Sequence, residues 1–125
     1  REILKKNVSL KKAVTQWGNL AAFISALYTE DFALMSRSLV DEIVEPMRSL
    51  LIPEFEKLKK ASMEAGALGF GISGSGPSVY ALANGIEDTN AIADAMSGKI
   101  NQVGIDFEIH ISAINNEGIK VISCK

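Results

Sequence analysis

A chain of 125 residues, 47% of them hydrophobic, has the size of one domain and can bury about two-thirds of its unfolded surface around a single core. Its 13 basic and 15 acidic side chains give a formal charge of -2, and Lys and Arg form no one-sided stripe, which excludes a general nucleic-acid binder. No apolar run approaches the roughly 20 residues that cross a bilayer, and the lone cysteine, Cys124, cannot make an internal disulfide, which fits a reducing cytoplasm.

The chain opens on Arg1 with no signal-like segment behind it, and composition alone leaves open whether more sequence precedes it. From Ser9 to Tyr28, Leu10, Ala13, Val14, Trp17, Ala21, Ile24 and Tyr28 fall on one helical face, with Ser9 suited to cap the amino end. Phe32, Met35, Leu39, Ile43 and Met47 predict a second helix. Glu30 and Asp31 stand in its first turn, and Pro46 is expected to end it, because proline lacks an amide donor. Pro53 should open a third helix whose inner face is Phe55, Leu58, Ser62 and Ala65 and whose stop is Gly66.

The pattern then changes. Residues 67–73 and 78–84 are short, apolar and without helical period, and Gly74-Ser75-Gly76-Pro77 divides them, so they predict two strands and a tight connection. Asp88 to Val103 carries Ile92, Ala95, Met96 and Ile100 on one face, a fourth helix closed by Gly104. Ile105, Phe107, Ile109, Ile111 and Ala113 alternate with Asp106, Glu108, His110 and Ser112, which is the signature of a strand. Asn115 to Gly118 turns the chain, and residues 119–123 return as a last strand. The expected architecture is α+β: a four-stranded antiparallel sheet packed against helices, in one domain over residues 1–125.

The glycine-rich segment 66–78 carries the strongest chemical signal. Gly69, Gly71 and Gly74 satisfy the letters of a dinucleotide-binding pattern, but that pattern must leave a strand and open a helix. Here Pro77 leads into Val79-Tyr80-Ala81-Leu82, a strand, so the dinucleotide reading fails. Read on its residues alone, Ser73-Gly74-Ser75-Gly76-Pro77-Ser78 is either a hairpin whose glycines allow positive φ, or a loop that lets an anion or another backbone come close. Arg48, on the same footing, is a surface side chain pairing with Glu45. His110 lies on the polar side of its strand and reads as solvated, and Met35 and Met47 read as core fillers.

Gly71-Ile-Ser-Gly-Ser-Gly-Pro-Ser78 resembles the third signature motif of the galactokinase, homoserine kinase, mevalonate kinase and phosphomevalonate kinase superfamily. Glu45-Pro-Met-Arg48 followed by Leu51-Ile-Pro53 is similar to the homoserine kinases within it. Arg1-Glu-Ile-Leu4 resembles the end of their T-x-x-A-R-x-x-L segment, and Gly118-Ile-Lys-Val-Ile122 resembles their closing strand.

The resemblance implies a ferredoxin-like C-terminal domain and an ATP- and Mg²⁺-dependent transfer of phosphate to the side-chain hydroxyl of L-homoserine, a step toward threonine, in the cytoplasm. It implies that Arg1 and Arg48 hold the amino-acid carboxylate, a task suited to the guanidinium fork. The loop Ser73, Gly74, Ser75, Gly76, Pro77 and Ser78 would back the nucleotide and substrate site. The P-x-x-x-G-L-G-S-S loop that wraps the ATP phosphates in the family does not occur in this sequence, nor does the acidic Mg²⁺ ligand that accompanies it. The expectation is therefore a chain that depends on its own N-terminal domain, holds no catalytic residue, metal or cofactor, and is inactive alone. Homodimerisation is left open. A mevalonate-type or sugar kinase is the near alternative, and a free-standing α+β regulatory or binding module the distant one.

Overall fold

The computed structural model describes residues 3–123. Its elements are α1 (Leu10–Thr29), α2 (Phe32–Ser38), α3 (Glu45–Arg48) running into a 3₁₀ turn (Ser49–Leu51), α4 (Phe55–Glu64), β1 (Gly69–Ile72), β2 (Val79–Leu82) and α5 (Glu87–Ile100), which ends in a 3₁₀ turn (Asn101–Val103). Ser9 caps α1 by accepting from the Lys12 amide at 3.4 Å, and Asp31 caps α2 by accepting from the Leu34 amide at 2.8 Å. Each satisfies an amide that the helix itself cannot.

The core forms where α4 and α5 pack on each other and on the sheet. Phe55, Leu58 and Phe70 are buried at its centre, with Ile52, Ile72, Val79, Ala81, Met96 and Ile100 around them. Phe55 and Phe70 meet edge to face with ring centroids 5.2 Å apart, an arrangement that contributes about 0.5–1.5 kcal/mol beyond the burial of their area. The expected inner face of α4 holds at Phe55, Leu58 and Ser62, which are buried together with Ala61, whereas Ala65 is only half-buried and stands just past the helix; the Ser62 hydroxyl donates to the Lys59 carbonyl at 2.9 Å. Pro53 lies two residues ahead of this helix, outside it. Gly66, at φ 101°, ends it as expected.

Two further expectations are corrected. The second helix does not run through to Pro46; it stops at Ser38, and Pro46 stands in the first turn of a new short helix, α3. The cause is Asp41, whose carboxylate accepts from the amides of Ile43 and Val44, both at 2.9 Å, and of Glu45 at 3.1 Å. A side chain that takes three successive amides turns the backbone out of one helix and into the next.

The sheet, second, has two antiparallel strands instead of four, with Gly69 opposite Leu82 and Ile72 opposite Val79. Residues 105–113 alternate as a strand should, yet no strand is formed there or over the expected return at 119–123, and no backbone hydrogen bond joins them to each other or to β1 and β2 among the described residues. Alternation encodes which side chains share a face; a strand also needs a neighbour that supplies a ladder.

The apolar face of α1 points outward. Leu10, Val14, Trp17, Ile24 and Tyr28 are exposed, Trp17 by 61%, while Gln16, Asn19, Phe23 and Ala26 turn toward the molecule. Two polar side chains win that side because each engages backbone. Gln16 Oε1 accepts from the Glu42 amide at 2.8 Å, and Asn19 Nδ2 donates to the Val40 carbonyl at 3.0 Å. They pin residues 40–42 against α1.

Candidate functional site

The glycine loop between β1 and β2 is held from both sides. The Ser73 amide donates to the Ser78 carbonyl at 2.8 Å and the Gly76 amide to the Ser73 carbonyl at 3.1 Å, which closes the turn on itself. Gly74 at φ 60° and Gly76 at φ 77° occupy the left-handed region, where a residue with a Cβ would cost roughly 1–2 kcal/mol.

Arg48 reaches this loop. It leaves the last residue of α3, and its Nη1 donates to the Ser75 carbonyl at 2.5 Å, across 27 positions of sequence. Its Nε is buried and finds no acceptor among the described residues. Glu45 does not pair with Arg48; it pairs with Lys59 of α4, in an ion pair whose side chains are only 12% and 27% exposed. The expected loop residues 73–78 and Arg48 therefore share one location, and Lys59 leaves the Arg48 guanidinium without a carboxylate. Arg1 lies outside the described residues, as does Cys124.

A cavity of about 240 Å³ adjoins the loop, between α1, the Asp41 turn and the sheet. Gln16, Asn19, Asp41, Glu45, Gly74 and Tyr80 are part of its wall. Tyr80 lies across Gly71, where an added Cβ would stand 3.0–3.1 Å from its hydroxyl and ring. Burial pushes the Tyr80 phenol above its ordinary value of 10.0, and the negative charges of Glu45 and then Asp41 push it further, against a smaller opposing effect of Lys59. A larger groove of about 430 Å³ between α4 and α5 holds none of the expected site residues.

His110 projects into solvent, 84% exposed, 3.4 Å from Glu108. Met35 is buried and Met47 partly so. Among the described residues no group of three His, Cys, Asp or Glu side chains could hold a metal ion, and no helix is long and apolar enough to cross a membrane.

Sequence reasoning missed Asp41, Lys59, Tyr80, Gln16 and Asn19. Asp41 had a signal: an Asp shortly before a proline-led turn is the pattern of a side chain that captures the next free amides. The partners of Glu45 and Arg48 had none, because both are set by tertiary packing.

Residues 23–102 match the family model described as GHMP kinases C terminal, well over half of the chain. The chain belongs to that family. Homoserine kinases are among the relatives of this GHMP kinase C-terminal chain. The one from Chlorobium phaeobacteroides is 44% identical over 124 residues, covering 98% of this chain and 39% of its own length. The one from Pyrobaculum aerophilum is 38% identical over 114 residues, covering 91% of this chain and 38% of its own length. A crystal structure of homoserine kinase from Cytophaga hutchinsonii superposes with a TM-score of 0.93 at 45% identity, over 98% of this chain and 39% of that one. The GHMP kinase C-terminal chain thus spans about 39% of the length of these relatives, and its α+β fold is the one they contain in that part.

Proposed function

We propose that this chain is the C-terminal domain, residues 1–125, of a homoserine kinase. The full-length protein would transfer the γ-phosphoryl group of ATP to the side-chain hydroxyl of L-homoserine, in the cytoplasm, as a step toward threonine. In that transfer the homoserine oxygen bonds to phosphorus, the bond to the ADP oxygen breaks, and the hydroxyl proton is lost. The observation that carries the reading is the near-complete match to homoserine kinases, from one end of the chain to the other, at 38–45% identity.

The geometry of Arg48 supports a substrate role for it. A buried N–H without a partner costs on the order of 1–3 kcal/mol, and an amino-acid carboxylate would supply the missing acceptor to Nε and a free Nη together. The loop from Ser73 to Ser78 would wall the site where nucleotide and substrate meet, and Arg1 would be the second arginine on the carboxylate. Mg²⁺ and the ATP phosphates would be held by the protein's other part, where the family resemblance puts the phosphate loop. Catalysis would then come from positioning and charge neutralisation.

A threonine-requiring bacterial strain that lacks homoserine kinase provides the test. Expression of the full-length gene should restore growth without threonine. Failure there, with rescue of a strain lacking mevalonate kinase or galactokinase, would assign the protein to another branch of the superfamily.

A further inference from the structure

Glu45 and Arg48 are the first and last residues of α3. Side chains three positions apart on a helix are neighbours, and an acid on the amino side of a base is the favourable order. The ion pair that this spacing predicts is absent. Glu45 Oε1 instead takes the ammonium of Lys59, which comes from α4, 14 positions on. That contact is shielded, with the Glu45 side chain 12% exposed and that of Lys59 27%. Asp41, the carboxylate that turns the chain into α3, is occupied by the amides of Ile43, Val44 and Glu45. Arg48 holds the Ser75 carbonyl through Nη1 and has a buried Nε without an acceptor. No ion pair engages its guanidinium among the described residues. An arginine that keeps its fork open so close to a glutamate needs something to hold that glutamate off.

We propose that Lys59 is a positioning residue: it neutralises Glu45 and holds it away from Arg48, so that the guanidinium stays free for the carboxylate of the substrate. This rests on the reading of Arg48 as an arginine that binds homoserine. Without Lys59, the Glu45 carboxylate would sit largely out of water with no counter-charge, which is a costly state. The relief that its own helix offers is Arg48. Glu45 and the substrate would then compete for one fork, and a competitor in the same chain is present at high effective concentration. If Glu45 held the fork about nine-tenths of the time, homoserine would bind about tenfold more weakly, since only the open fraction is competent.

Steady-state kinetics of the full-length protein, with thermal melts beside them, test this on Lys59→Met, Lys59→Arg and the double variant Glu45→Gln/Lys59→Met. Lys59→Met keeps the unbranched stem and removes the charge. It should raise KM for homoserine roughly tenfold, while kcat and KM for ATP stay within about twofold. Lys59→Arg keeps the counter-charge and should stay within about threefold of the parent. The double variant should recover most of the lost homoserine affinity, because an amide does not compete for the fork as a carboxylate does, although no ion pair is restored and its Tm stays below the parent's. A brace between α3 and α4 would not behave so: the double variant would then be as impaired as Lys59→Met, and the proposal would fall. It would fall also if the loss appeared in KM for ATP, which would make Lys59 a phosphate ligand. Lys59→Gln carries the same comparison if Lys59→Met does not fold. Arg48→Lys in the same assay keeps the two ideas apart. Homoserine KM that responds to Arg48→Lys but not to Lys59→Met sinks only the role of Lys59, and KM that responds to neither sinks the substrate reading of Arg48 as well.

Discussion

Replacing Arg48 by Lys in the full-length protein separates a substrate-binding arginine from a structural one. Arg48 donates to the Ser75 carbonyl through Nη1 and carries a buried Nε without an acceptor. Lysine keeps the charge, but its donors sit on a single ammonium point, so it loses the planar fork whose spread reaches the Ser75 carbonyl and a bidentate carboxylate at once. The loss is therefore about one charge-assisted hydrogen bond, roughly 1.5–3 kcal/mol. At about 1.4 kcal/mol per factor of ten, kcat/KM for homoserine should fall on the order of ten- to a hundredfold. KM for ATP should stay within about twofold, because nothing in the substitution touches a phosphate contact. Steady-state kinetics with each substrate varied in turn, beside a thermal melt, make the measurement. Arg48→Lys enzyme with ordinary homoserine kinetics would refute the reasoning and leave Arg48 as a clasp on the glycine loop.

Other consequences follow from the same geometry. Gly74→Val should reduce activity well beyond a destabilisation of about 1–3 kcal/mol, since φ 60° is strained for a branched residue even though no atom lies within 4 Å of the added Cβ; equal losses of activity and stability would make the loop a plain hairpin. In a Tyr28→Phe background, absorbance titration of Tyr80 should give a midpoint above 10.0, and Glu45→Gln should bring it down by removing a nearby negative charge. Because the folded phenol holds its proton longer than the unfolded one, stability is unaffected below about pH 10 and falls as pH rises beyond it; a midpoint unmoved by Glu45→Gln would contradict the placement of that charge. The 125-residue chain alone should show no ATP-dependent phosphorylation of homoserine in a coupled ADP assay.

The local features of the fold were legible wherever the signal itself was local. Ser9 and the strands around Gly74-Ser75-Gly76-Pro77 are each specified by residues within a few positions of one another, and the structure has them. Pro46 misled because proline both ends helices and begins them; the Asp41 carboxylate, not the proline, decides where the turn falls. The apolar stripe of α1 showed a helix but not the direction of its face, because periodicity carries no direction; Gln16 and Asn19 engage the backbone of residues 40–42 on the inner side. The alternation of residues 105–113 was legible, but the pairing expected of them and of 119–123 is not found among the described residues, since no pattern in a sequence says where the partner strand lies. For the site, the loop and Arg48 stood out by resemblance, but their contact joins residues 27 apart, and the choice of Lys59 over Arg48 as the partner of Glu45 is a product of packing.

The account stands on the alcohol that receives the phosphate. Full-length protein incubated with ATP, Mg²⁺ and L-homoserine, with the product followed by phosphorus NMR, tests it most directly. A phosphomonoester resonance coupled to the side-chain methylene of homoserine, growing as ADP appears, is the predicted result. No ester with homoserine, together with rapid phosphorylation of mevalonate or galactose under the same conditions, would contradict it.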